Sequence, residues 1–184
     1  MSTIDTNPIG FLITTLFDLY LLIIAFRLIM QWTSWDQRQP IIQFIRNATH
    51  RPIAILQSII PPIGRWDITA FVLLFGLTAI KFILLQSINP NVEANLLSLI
   101  LIDIVMLLAY IYIISLIIEV ILSWFITGHQ HHPILPLLQA MNQPLLLPIR
   151  RKLPLFSGID LSPMVAVIGI QFFLMILIPM LSAT

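Results

Sequence analysis

The sequence predicts an all-α integral membrane protein whose four transmembrane helices form two repeats. Of its 184 residues, 59% are hydrophobic and 9% are charged, whereas about 25% of the residues of a soluble domain are charged. Four apolar runs, at residues 10–32, 68–88, 96–125 and 164–181, approach or exceed the roughly 20 helical residues that cross a hydrocarbon core. A transmembrane barrel would need short alternating strands, and the sequence has no such alternation.

The first run is expected to stay in the mature protein, because no Lys or Arg precedes it as in the basic region of a cleaved signal peptide. The absence of cysteine excludes disulfides, thiolate metal sites and a cysteine nucleophile. We expect a single membrane domain over residues 1–184, with a first repeat at 10–90 and a second at 91–184.

The distribution of positive charge predicts the orientation of the chain. Outside the runs, Lys and Arg occur only in the first and third connecting segments, at Arg38, Arg46, Arg51, Arg65, Arg150, Arg151 and Lys152. The other connection and both tails carry none. The positive-inside rule therefore places both basic loops in the cytoplasm and both termini outside.

Both basic loops are too apolar to be solvated linkers. Residues 40–60 and 133–153 place hydrophobic residues at near-helical spacing among prolines, which predicts short amphipathic helices at the membrane interface. Whether they lie flat or dip into the bilayer stays open. The second loop also contains His129, His131 and His132. These are either metal ligands or a solvated helix exit, and the lack of a nearby Cys or carboxylate favours the exit.

The chain contains an internal repeat with an offset of 92 or 93 residues. Trp32 superposes on Trp124, and the first-loop residues Pro52, Pro61, Asp67 and Thr69 superpose on Pro144, Pro154, Asp160 and Ser162. Gly64 lies within the first copy. Because each copy contributes an even number of spans, the copies are predicted to enter the bilayer in the same direction.

The second loop resembles the signature of the YggT family of small bacterial membrane proteins. The resemblance covers residues 10–181 and is carried most clearly by Gln143, Pro144, Pro148, Arg150, Arg151, Pro154, Gly158, Asp160, Ser162 and Pro163. The first copy has Trp66 and Ala70 where the second has Ile159 and Pro163, so the two loops are not expected to perform a shared task equally.

The resemblance implies a protein of the bacterial inner membrane that supports osmotic-stress tolerance or ion homeostasis, by conducting or regulating cation transport. The alternative is a non-transporting scaffold or assembly factor for envelope, division or membrane-complex proteins. We expect neither enzymatic activity nor a cofactor, because the sequence has no catalytic constellation or cofactor motif. Expected partners are anionic headgroups at Arg150, Arg151 and Lys152, and further copies or other membrane proteins, but no nucleic acid.

Five ionisable residues lie inside the runs: Asp18, Arg27, Lys81, Asp103 and Glu119. Each costs about 2.5 to 3.5 kcal/mol at mid-membrane unless it is paired or hydrated. At 1.5 Å per helical residue, Asp18, Lys81 and Asp103 all fall roughly 10 to 12 Å from the outer boundary. Lys81 is therefore predicted to bridge the two carboxylates.

Arg27 and Glu119 occupy equivalent positions of the two repeats, each five residues before a tryptophan. Their opposite charges predict an interaction, either direct or through one polar intermediary. The intramembrane charges as a group have two interpretations. They form a path or binding site for cations or protons, or they fix helix register and partner choice.

Overall fold

The computed structural model describes residues 7–33, 39–58, 68–88, 95–125, 134–153 and 160–182, and all regular structure within these ranges is helical. The described residues form six helices: α1 (Pro8–Trp32), α2 (Pro40–Gln57), α3 (Ile68–Ile88), α4 (Leu96–Phe125), α5 (Leu135–Arg150) and α6 (Ser162–Ser182). The predicted all-α class is confirmed. The signature and echo residues Pro61, Gly64, Asp67, Pro154 and Gly158, and the three clustered histidines, lie outside the described residues.

Helices α1, α3, α4 and α6 are long and apolar enough to cross a membrane. Their hydrophobic residues surround the helix axis instead of forming one stripe, which is typical of a membrane span. At the start of α1, the side chain of Asn7 accepts a hydrogen bond from the Ile9 N–H, with Pro8 in the first turn. The four predicted spans are therefore present.

Helices α2 and α5 are amphipathic and occupy the two basic loops. The buried positions of α2 are Ile42, Ile45, Thr49 and Ile53, and those of α5 are Leu137, Met141, Asn142 and Leu146. Both sets recur every three or four residues, so each helix turns one face towards the spans. Helices are thus present in both predicted segments, α2 at Pro40–Gln57 and α5 at Leu135–Arg150.

Among the described residues, three apolar clusters hold the helices together. The largest joins α1, α2, α3 and α4, and includes Leu21, Ile53, Leu74 and Ile104. In a second cluster, Met141 of α5 meets residues of α1 and α4. The third joins α4, α5 and α6. Met141 and the packing of α3 against α4 therefore connect the two repeats.

The duplication in the sequence is repeated in the packing. The third cluster contains Leu116, Leu146 and Ala166, and the repeat offset maps them onto Ile24, Ile53 and Leu73 of the first cluster. In each repeat, one buried residue from the first span, the amphipathic helix and the second span meet. This shared core places the polar residues described next at comparable positions.

Candidate functional site

A buried lysine lies between two carboxylates from neighbouring spans. Lys81 Nζ on α3 is 2.9 Å from Asp18 Oδ1 on α1 and 2.5 Å from Asp103 Oδ2 on α4. The Lys81 side chain is only 2% exposed, whereas those of Asp18 and Asp103 are 49% and 30% exposed. The predicted bridge is confirmed. We call these three residues the Lys81 cluster.

The Lys81 cluster carries a net charge of −1 when all three groups are ionised. The ammonium uses one oxygen of each carboxylate, and it also lies 4.9 Å from the centroid of the Phe82 ring, within the range of a cation–π contact. The other carboxylate oxygens lie outside the lysine contact. An uncompensated negative charge inside a membrane favours the uptake of a proton or a cation.

The second repeat has no counterpart of this cluster. The repeat offset places Tyr110 opposite Asp18, and Leu174 opposite Lys81. Leu174 is buried like the lysine that it replaces, but it is apolar. Asp103 itself corresponds to Phe11, which is exposed. The cluster is thus a special feature of the α1–α3–α4 junction.

A second polar group surrounds Glu119, whose side chain is buried on α4. Asn142 Nδ2 on α5 donates to Glu119 Oε2 at 2.7 Å, and the Ser115 hydroxyl donates to Asn142 Oδ1 at 2.6 Å. The side chain of Asn142 is fully buried. A buried amide with both ends bonded is well satisfied, so Asn142 fixes α5 against α4.

Arg150 extends this group to the start of α6. Its Nη2 lies 3.8 Å from Glu119 Oε1, and its Nε donates to Asp160 Oδ2 at 2.7 Å. The other oxygen of Asp160 accepts the Ser162 N–H at 2.9 Å. Together these residues, Ser115, Glu119, Asn142, Arg150, Asp160 and Ser162, form what we call the Glu119 network. It connects all three helices of the second repeat.

The carboxyl of Asp160 is more acidic than an ordinary aspartate. Partial burial raises its pKa, but the hydroxyl and N–H of Ser162 and the guanidinium of Arg150 together more than offset this, so its pKa is lowered. Asp160 is therefore ionised at neutral pH, and it holds both the end of α5 and the first turn of α6.

The structure shows no direct bond between Arg27 and Glu119 among the described residues, and an interaction through one polar intermediary stays a prediction. Arg27 Nη1 instead donates to Thr49 Oγ1 on α2 at 2.9 Å, while Glu119 is bonded to Asn142 and Arg150. The physical reason is that the amphipathic helix of each repeat presents a polar side chain to its own span, so each charge finds a partner without reaching across the bundle.

Three polar residues of these contacts were missed from the sequence: Thr49, Ser115 and Asn142. A signal for two of them was present, because the separation of Thr49 and Asn142, 93 residues, is within one residue of the offset that pairs Pro52 with Pro144. Each is also a polar residue on the otherwise apolar buried face of an amphipathic helix. The offset of the intramembrane charges that they contact is 92 residues, so the polar contact is itself duplicated.

The other signature residues fall into two groups. Ser162 and Pro163 are buried at the start of α6, as is the echo residue Thr69 at the start of α3, whereas Pro52 lies inside α2. The remaining group is exposed on α5 or just after it and comprises Gln143, Pro144, Pro148 and Arg151. No three potential metal ligands come together within the part of the chain that the structure describes.

Comparison with known proteins places this architecture in a family. The family model described as CCB3/YggT matches residues 6–88 and again residues 98–181, which correspond to the two repeats. The chain belongs to the CCB3/YggT family. Its resemblance to YggT proteins, first seen in the signature loop, is confirmed over almost the entire chain.

Several curated relatives of this family are similar to the chain. An uncharacterized protein in the proC 3′ region of Vibrio alginolyticus is 36% identical, with coverage of 90% of this chain and 91% of the relative. Uncharacterized protein YggT of Escherichia coli K12 is 33% identical, with coverage of 88% and 85%. An uncharacterized Pseudomonas aeruginosa protein is 34% identical, with coverage of 94% and 89%. No solved structure matches the chain.

Proposed function

We propose that this YggT-family protein supports osmotic-stress tolerance or ion homeostasis in the bacterial inner membrane, and that the Lys81 cluster is its proton- or cation-responsive site. The observation that carries this proposal is the bridging of Asp18 and Asp103 by one buried lysine. Ionisable residues inside a membrane are expensive and are by default functional. Here three ionisable residues lie in direct contact within a fold made largely of apolar residues.

The chemistry of the cluster suits a small cation. Two carboxylates and one ammonium leave one negative charge, which a proton or a monovalent cation neutralises. Asp18 is half exposed and Asp103 is about one-third exposed, so neither carboxylate is closed off by the rest of the chain. Lys81 Nζ lies 2.9 and 2.5 Å from one oxygen of each carboxylate, so the other oxygen of each remains outside the lysine contact for an arriving cation.

Flux through the reconstituted protein tests this function. Purified protein in liposomes is assayed for movement of H⁺, Na⁺ and K⁺, together with Asp18→Asn and Asp103→Asn. The matched control is Glu93→Gln, which removes one carboxylate from the segment joining α3 and α4. We expect flux that both aspartate variants reduce and the control retains. The absence of flux for all three ions in the wild-type protein would contradict the proposal.

The proposal includes an orientation, with both termini outside and both basic loops in the cytoplasm. Single cysteines at Ser2 and Gln37 test it, because the chain has no native cysteine. In intact cells an impermeant thiol reagent should label the cysteine at position 2 and leave the one at position 37 unlabelled. Labelling in the opposite pattern reverses the assignment.

A scaffold function is the second candidate, and one observation favours it. On α3, Phe75, Ala79 and Phe82 pack against the first apolar cluster. The repeat offset places Ile168, Phe172 and Met175 at the same positions of α6, where they are 56%, 65% and 77% exposed. Helix α6 therefore presents to its surroundings a face that its counterpart α3 uses for packing.

Photo-cross-linking from this face distinguishes a scaffold from a lipid-exposed helix. A photoreactive phenylalanine derivative is placed at Phe172, and at Phe11 as a control that is equally aromatic and 64% exposed. A scaffold that docks a second membrane helix here should give one discrete product from position 172 and none from position 11. Equal, diffuse labelling of lipid from both positions would argue against docking.

A further inference from the structure

Two grooves meet beside the signature prolines of α5. The first is apolar, has a volume of about 540 Å³, and lies among α4, α5 and α6, with Ala109, Tyr112, Pro144, Ile170 and Phe173 in its lining. Its volume falls within the roughly 300 to 1,000 Å³ of small-molecule sites. Two of the three helices that line it, α4 and α6, are candidate membrane spans. A lipid hydrocarbon chain is therefore a ligand that can reach this groove.

The second groove is more polar and has a volume of about 490 Å³. Its lining includes Thr33 at the end of α1, and Gln143, Pro144, Pro148 and Arg151 of the second loop. Pro144 lines both grooves, so the two adjoin at this residue of α5. The combination has an apolar part among the spans and a polar, cationic part at the end of α1.

The neighbouring arginines have different roles in this arrangement. Arg150 is engaged with Glu119 and Asp160. Arg151 lines the polar groove, is exposed, and is paired with no carboxylate among the described residues. A positive charge in that position complements an anion, and a guanidinium binds phosphate oxygens particularly well because its N–H groups form a planar fork.

The prolines add hydrogen-bond acceptors to the polar groove. Pro144 and Pro148 lie inside α5 and have no N–H, so the carbonyls of Ala140 and Pro144 lose the donor four residues later that a helix normally supplies. Ala140 and Pro144 both line the polar groove. A ligand that fits must therefore present an anion to Arg151 and hydroxyl donors to α5, and must also have an apolar tail.

We propose that these grooves form a specific binding site for an anionic phospholipid with a hydroxyl-bearing headgroup, such as phosphatidylglycerol. Its phosphate lies against Arg151, its headgroup hydroxyls face the Ala140 and Pro144 carbonyls, and an acyl chain follows Pro144 into the apolar groove. This assignment gives a task to the exposed signature residues Gln143, Pro144, Pro148 and Arg151. It does not depend on transport by the Lys81 cluster.

Lipid binding to the full-length protein in detergent tests the site. Phosphatidylglycerol is titrated against phosphatidylcholine, and bound lipid is counted by native mass spectrometry for wild type, Arg151→Gln and Lys152→Gln. Lys152 is the matched control, because it is an exposed neighbour of the same charge that does not line either groove. We expect Arg151→Gln to weaken phosphatidylglycerol binding roughly tenfold, as for the loss of one charge-assisted contact, and Lys152→Gln to change it less than twofold.

A third variant tests the apolar groove. Ala109→Phe narrows the groove without changing any charge, and should also weaken phosphatidylglycerol binding, provided that its thermal midpoint without added lipid matches that of wild type. If it does not fold, the comparison of Arg151→Gln with Lys152→Gln decides the question alone, since both changes are at exposed positions. Equal losses from those two variants, no loss from either, or equal affinity of wild type for the two lipids would each overturn the proposal.

Discussion

In both repeats a charged residue of the first span bonds to a polar residue of the amphipathic helix, but the two charges have opposite signs. In the first, Arg27 on the first span donates to Thr49 on the amphipathic helix. In the second, Glu119 at the equivalent position accepts from Asn142, which lies one residue beyond the equivalent of Thr49 on the amphipathic helix. The location of the contact is preserved, while the sign of the charge and the direction of the hydrogen bond are reversed.

This comparison shows that both repeats have a polar contact between the first span and the amphipathic helix, but that different residue types form it. The apolar residues around the contact repeat closely, as Ile24, Ile53 and Leu73 do in Leu116, Leu146 and Ala166. The polar additions do not repeat. The Lys81 cluster belongs to the first repeat and its junction with α4, and the second repeat has Leu174 where the first has Lys81.

Making the first repeat resemble the second at this site should have the largest effect. Lys81→Leu introduces the residue found at position 174 and leaves Asp18 and Asp103 without their shared cation. Removal of one partner from a buried ion pair costs up to about 3 to 5 kcal/mol, so we expect a severe loss of folded protein. Folded yield after membrane extraction, measured by size-exclusion chromatography, checks this.

The control is the charge-free variant Asp18→Asn, Lys81→Leu and Asp103→Asn, which leaves no stranded charge. Its yield should recover most of what Lys81→Leu loses. Normal yield of Lys81→Leu alone would show that the lysine does not hold the three spans together.

Two double-mutant cycles test whether the intramembrane charge of each repeat is paired within that repeat. We expect changes in stability smaller than that of Lys81→Leu. Glu119→Leu and Asn142→Leu should be coupled by about 0.5 to 3 kcal/mol, because their side chains touch. Arg27→Leu and Glu119→Leu should be additive within about 0.3 to 0.5 kcal/mol, because no direct bond joins the two side chains among the described residues. Unfolding free energies in a mild detergent supply both cycles. A coupling energy of Arg27 with Glu119 as large as that of Glu119 with Asn142 would show that the two charges interact across the repeats.

The smallest expected effect is at the surface end of the Glu119 network. Because the pKa of Asp160 is lowered in the folded protein, its contribution to stability is fully present above the unfolded aspartate pKa of about 3.9. That contribution is lost as the pH falls through the lower folded value. The partners are partly exposed, so the effect should not exceed about 1 kcal/mol.

Thermal midpoints of wild type and Asp160→Asn, measured at pH 6 and at stepwise lower values below pH 4, check this. The difference between them should shrink as the pH falls. A constant difference across the series would mean that ionisation of Asp160 contributes nothing to the junction of α5 and α6.

Hydrophobic run length and spacing were sufficient to predict the helices, because crossing a bilayer imposes a length that few other structures need. The distance of each charge from the outer membrane boundary was sufficient to predict the Lys81 cluster. Three charges at similar depth on adjacent spans have few alternative partners. Equivalence of position alone did not identify the hydrogen-bond partners of Arg27 and Glu119. It ignored the amphipathic helices, whose Thr49 and Asn142 are nearer partners. The grooves beside α5 were not predictable either, because they depend on how three helices pack.

The charge-free variant also provides the most direct test of the central claim, that the Lys81 cluster acts as a cation- or proton-responsive site as well as a link between spans. Growth under osmotic stress is measured in cells that carry this variant as their only copy, with its level in the membrane determined in parallel. We predict that the variant accumulates to near the wild-type level and fails to support growth. Full growth of cells in which the variant is present at the wild-type level would contradict the account. It would mean that the cluster only fixes the register of the helices.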